Sequence, residues 1–192
     1  FNALAANTTA GGNTAVGINA IVTNTTGSAL VGIGGNALYA NTTGAENTTV
    51  GHSSLESNTT GAENVAVGNS ALGANTTGSS NTAVGVKALF TATTAGTNTA
   101  VGTQAMRLTT TGAENVAVGV LALACNTTGT QNVSVGAEAL RRNTTAASNT
   151  ALGMSALTAN TTGGGNTAVG LNALVANTTA NGSTAMGWSA LV

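Results

Sequence analysis

The chain holds no proline and no aspartate, and only one cysteine, one histidine and four aromatic residues in 192 positions. Charged residues make up 5% of it, against roughly 25% in an ordinary soluble domain. Each shortage excludes something. A lone Cys125 forbids an intrachain disulfide framework. Without aspartate there is no Gly-rich, Asp-bearing nonapeptide of the kind that binds calcium in β-rolls. Four basic residues, Lys87, Arg107, Arg141 and Arg142, make no electrostatic footprint for nucleic acid. No run of about 18 apolar residues exists to span a membrane. His52 and Cys125 stand 73 positions apart, too far for a Cys–His pair in a stacked repeat, so no catalytic residue is expected. No metal and no cofactor is expected either. Glu46 and Glu63 share a phase in neighbouring units and read as solvated carboxylates.

What is abundant is repetition. A 17-residue unit starting at Asn13-Thr14-Ala15-Val16-Gly17 runs through the chain without insertion or deletion. The units fall at 13–29, 30–46 and so on to 183–192. A glycine recurs at Gly17, Gly34, Gly51, Gly68, Gly85, Gly102, Gly119, Gly136, Gly153, Gly170 and Gly187. An aliphatic residue or methionine precedes it every time, from Val16 to Met186. Four residues after it comes a second ladder, Leu4, Ile21, Leu38, Leu55, Leu72, Leu89, Met106, Leu123, Leu140, Leu157, Leu174 and Leu191. A Thr-Thr pair, usually preceded by Asn, completes the unit.

Seventeen residues cannot hold two helices and their turns, and Thr, Asn, Val and Gly are poor helix interiors. Short β segments punctuated by glycine fit better. The expected fold is all-β, without helices: a parallel β-solenoid of about eleven 17-residue coils, spanning 1–192 as one uncapped array. Thr14–Val16 reads as a strand, Ala20–Ile21 and Asn24–Thr26 as two further sides, and the recurring glycines as structural corners. The pairs 18–19, 22–23 and 28–29 carry the chemical variety and mark the corners. The Val16-type and Leu38-type ladders are expected to face inward, so that Val118→Asp would disrupt its coil. Ala20 and Ile21 are adjacent, so an extended side would point one of them outward, into a chain–chain contact.

One or two large apolar residues per unit make a thin core. Hydrogen-bond ladders of Asn and Thr, and packing between chains, are expected to supplement it. Free strand edges at both ends favour association, so the array reads as a fragment or protomer of a longer fibre. Asn-Thr-Thr is also an N-glycosylation signal, at Asn7, Asn24, Asn41, Asn47, Asn58, Asn75, Asn126, Asn143, Asn160 and Asn177. Glycans on every coil would crowd at about 4.8 Å spacing, so the recurrence reads first as hydrogen-bonded ladders of stacked Asn and Thr, with decoration of some coils as the alternative.

The units resemble known repeats. Asn166–Leu174 and Asn81–Leu89 are similar to degenerate repeats of large bacterial surface and tail-fibre-like proteins. Val65-Ala66-Val67-Gly68 and Val116-Ala117-Val118-Gly119 resemble the Val-Ala-Ile-Gly repeats in the heads of YadA-type trimeric autotransporter adhesins. The likeness covers the whole chain, although the unit here is longer. It implies an extracellular or cell-surface fibrous protein that self-associates, as an end-to-end filament or a trimer. It also implies a surface, matrix or glycan ligand. The functional expectation is therefore a structural protein: the rigid shaft of a filament, fibre or adhesin, without catalysis. The alternative is an ice-binding β-solenoid that uses its Thr ladders.

Overall fold

A computed structural model describes all 192 residues. The chain is a parallel β-solenoid without helices. Eleven three-residue strands, β1 (Thr14–Val16) through β11 (Thr184–Met186), follow one another at 17-residue intervals. They form one sheet in strict sequence order, each strand pairing in parallel with the next. The register is constant: Thr14 sits opposite Val31, and Val101 opposite Val118. The sequence-derived strand Thr14–Val16 is reproduced, but the other two sides are turns rather than strands.

Turns dominate and still stack. Of 124 backbone hydrogen bonds, 104 lie outside the strands, and most join a residue to its counterpart about one coil away, as in Leu38 N–H to Ser54 O at 3.0 Å. The coil closes through backbone of positive φ. Gly17 and its repeats lie near +130°, and residues of the Asn19, Ile21 and Ala29 phases lie near +55°. Left-handed backbone is costly for leucine, yet Leu38, Leu55, Leu72, Leu89, Leu123, Leu140, Leu157 and Leu174 all adopt it.

That conformation corrects one expectation. Ala20 and Ile21 do not point to opposite faces; both are fully buried. The segment is turning rather than extended, so the alternation rule of a strand does not apply. The Leu38 ladder and the preceding Ala ladder together make the continuous core.

A second correction concerns the strand. Its middle residue faces in and its first and third face out. Ala117 is 0% exposed, whereas Val118 is 37% exposed. The Val16-type ladder is therefore an outer ladder, and Val118→Asp would not bury a charge in the core. The reason is space: a Cβ on Gly32, the β2 middle residue, would lie 2.7 Å from Ile21 Cγ1. The Leu38-type ladder already fills much of the coil, and the residues opposite it are small, with Thr49 the largest.

Candidate functional site

The Gly17-type corners are sterically obligatory. A Cβ on Gly119 would come 2.6 Å from the carbonyl carbon and oxygen of Gly136 in the next coil, and φ there is +136°. Ten of the eleven corner glycines, from Gly17 to Gly170, meet the same obstruction from the coil above; Gly187 meets nothing. Gly27-type positions differ. Their φ is not positive, and although a Cβ on Gly129 would lie closer still to Ala146 O, Ala95, Ala146 and Ala180 stand at that phase and show that the coil can make room there.

The interior carries two asparagine ladders. In the first, Asn41 Nδ2 donates to Asn24 Oδ1 at 2.9 Å and to the Gly44 carbonyl at 2.9 Å. Asn58 and Asn75 continue it. Ala92 and Thr109 interrupt it, and it resumes through Asn126, Asn143 and Asn160. The interruption leaves Asn75 Oδ1 and Thr109 Oγ1 buried without partners. The second ladder begins at Asn13 and, after Leu30, runs from Asn47 to Asn166. There each Oδ1 accepts from the backbone N–H, and in most coils also the Nδ2, of the asparagine one coil on. Only the first was anticipated, because Asn-Thr-Thr drew attention to it. The signal for the second was present in the sequence, as an asparagine at the Asn13 phase in nine of eleven units.

These ladders bear on the glycosylation candidates. Asn24, Asn41, Asn47, Asn58, Asn75, Asn126, Asn143 and Asn160 are 0% exposed, with Nδ2 hydrogen-bonded inside the coil. A glycan at any of them has no room in the folded coil. Asn7 and Asn177, in the terminal units, are half-buried.

Both threonines of each pair face outward. The first hydroxyl is consumed by the next coil: Thr59 Oγ1 donates to Thr76 O at 3.0 Å, and the pattern runs from Thr8 to Thr161. The second forms an unbroken exposed rank from Thr9 and Thr26 to Thr179.

The most extensive uniform surface is the outer face of the sheet. Twenty large hydrophobic side chains are exposed in the chain. Seventeen of them fall in the columns of Thr14 (three), Val16 (seven) and Ile18 (seven, Phe1 included). No Lys, Arg or Glu lies in these columns, and His52 is their one ionisable side chain. The charged residues lie outside these three columns, Lys87 and Glu138 in the adjoining Asn19 column, and Arg141 and Glu138 form a 3.3 Å ion pair. Cys125, half-buried, lies in another column, four coils on from His52.

The fold and these surfaces define a parallel β-solenoid with a flat apolar face free of Lys, Arg and Glu. Comparison of the chain with protein-family models, with curated proteins and with solved structures returned no match. No helix is long and apolar enough to cross a membrane.

Proposed function

We propose that the chain is a structural protein, the rigid shaft of an extracellular filament, fibre or adhesin, and that it self-associates through the outer face of its sheet. The observation that carries this reading is the gathering of seventeen exposed large hydrophobics into three adjacent columns without Lys, Arg or Glu. Monomers rarely expose contiguous apolar patches of such extent without a partner. Eleven strands at about 4.8 Å make the face about 50 Å long, and a width on the order of 10–15 Å gives about 500–750 Å² per copy. A standard interface buries about 800 Å² per partner. A second copy supplies an apolar surface of matching length and spacing. The extracellular placement rests on the resemblance of Val65–Gly68 and Val116–Gly119 to adhesin-head repeats.

Ice binding through the Thr ladders has one observation in its favour, the unbroken exposed rank that includes Thr26 and Thr179. It is the weaker reading because the other hydroxyl of each pair is spent on a carbonyl, which leaves one rank rather than a two-dimensional array.

Light scattering after size exclusion tests the proposal. The monomer is 18.2 kDa. The expected mass is a multiple of it, and Val118→Asp should return the mass to that of the monomer with an unchanged circular dichroism spectrum. A wild-type chain that stays monomeric at high micromolar concentration refutes self-association, and thermal hysteresis would then decide the ice-binding reading.

A further inference from the structure

Beyond the Ala20–Ile21 turn from the strand face, the Val22-type corner column carries unlike residues in successive coils: Tyr39, Glu56, Gly73, Phe90 and Arg107. Glycine at 73 leaves a trough between Glu56 on one side and Phe90 on the other, with Ser53 and Ser57 in its wall. The Phe90 ring leans over Gly73: its Cε2 lies 3.3 Å from where a Gly73 Cβ would stand. Lys87 Nζ, 5.6 Å from the ring centroid, engages the same ring.

Two polar groups here lack partners. Ser53 is only 8% exposed, yet its hydroxyl makes no hydrogen bond within the chain. The oxygen itself opens into the trough, where solvent or a ligand partners it. The Glu56 carboxylate forms no ion pair; the chain's single salt bridge is elsewhere. The trough thus sets an aromatic surface beside a free carboxylate acceptor and free hydroxyls that both donate and accept.

We propose that this trough is a binding subsite for a neutral pyranose with equatorial hydroxyls. Such a sugar has a flat axial C–H face to lay on Phe90. Its rim of hydroxyls donates to Glu56 and exchanges hydrogen bonds with Ser53 and Ser57. An ammonium ligand would also meet the carboxylate and the ring, but Lys87 already holds a cation at Phe90 and opposes a second. The subsite lies outside the three columns of the strand face, so it stays open when copies associate there. Its success or failure is independent of the shaft reading.

The test is a titration of the 15N-labelled chain with methyl β-D-glucopyranoside to tens of millimolar, followed by amide NMR. Saturable shifts confined to Ser53, Ser57, Gly73 and their neighbours are expected. They should weaken at least tenfold in Phe90→Ala, and in Gly73→Val, which fills the floor with a residue that Val22 and Val175 show this phase accepts. Glu56→Gln, which preserves shape, should weaken them too. Circular dichroism confirms that each variant is folded. The proposal is overturned by the absence of saturable shifts, by shifts that survive in all three variants, or by a site that answers to ethylammonium chloride and not to the glucoside.

Discussion

The asparagine ladders make the sharpest quantitative claim, and Asn115 is the place to test it. Its Nδ2 donates to Asn98 Oδ1 at 3.1 Å and to Gly129 O at 2.9 Å. Its Oδ1 accepts from Asn132 N at 3.0 Å and Asn132 Nδ2 at 3.1 Å. Asn115→Asp keeps the shape and the acceptor but replaces the donor with an oxygen facing two other acceptors. Both acceptors keep a second donor, the Asn115 N–H on Asn98 Oδ1 and Asn126 Nδ2 on Gly129 O, so the cost is that of a buried carboxylate without a counter-charge, about 3–5 kcal/mol at neutral pH. Asn115→Leu should cost less than the aspartate, because Leu30 occupies the same phase and is fully buried. The aspartate penalty has a definite pH dependence. Burial next to acceptors raises the folded-state pKa of the new carboxyl above its unfolded value, so the destabilisation is full above the folded pKa. It fades as pH falls, because the protonated acid regains a donor. In a repeat array the loss is local, so hydrogen exchange is the assay. The Asn132 amide should exchange roughly a hundredfold faster or more, at 1.4 kcal/mol per tenfold. If Asn115→Asp matched the wild type in melting and in protection at pH 7, the ladder would not be holding the coils together.

Two other substitutions follow from the same geometry. Gly119→Ala should lose several kcal/mol in thermal unfolding through its clash with Gly136 and its positive φ, whereas Gly129→Ala, without a positive φ, should lose less, since Ala146 at that phase shows that the backbone can shift to relieve the close approach to the next coil's carbonyl oxygen; equal losses would remove the distinction between the two corners. Ala92→Asn should raise the melting temperature by the equivalent of about 1 kcal/mol, because it offers Asn75 Oδ1 the donor that it lacks; no gain would mean that the orphaned acceptor is already satisfied.

Period, strand position and corner glycines were legible because each is a translational requirement. Every coil must present the same groups to the next, so the sequence repeats what the ladder needs. The direction of the side chains was not legible in the same way. Thr-Ala-Val alternates large and small but offers apolar groups on both faces, and the rule that large residues go inside then selects Val. What decides the matter is the opposing wall. Leu38-type side chains, aimed inward by a left-handed turn that no propensity anticipates, fill the coil before the strand contributes. The trough was hidden for a different reason, since it depends on which unlike residues fall in adjacent coils of one corner column, and a search for repeated motifs averages those differences away.

The inward–outward assignment can be inverted experimentally at a single strand. Ala117 is fully buried in β7 and Val118 is its outward neighbour. Adding two methyl groups at a filled site costs about 1–3 kcal/mol by overpacking, so Ala117→Val should unfold at lower temperature. Thr49, fully buried at the same phase, is accepted because its hydroxyl donates to Val31 O at 3.1 Å, whereas a valine methyl in that place would press on the carbonyl oxygen. Val118→Ala removes methyls that already face outward and should change the unfolding of the monomer by less than about 0.5 kcal/mol, while weakening self-association. The comparison is made by thermal denaturation at a concentration low enough to keep the chain monomeric, with mass measured in parallel. If Val118→Ala were the more damaging of the two under those conditions, the large residue would be the core residue and the outer face, with the interface built on it, would be assigned to the wrong side of the sheet.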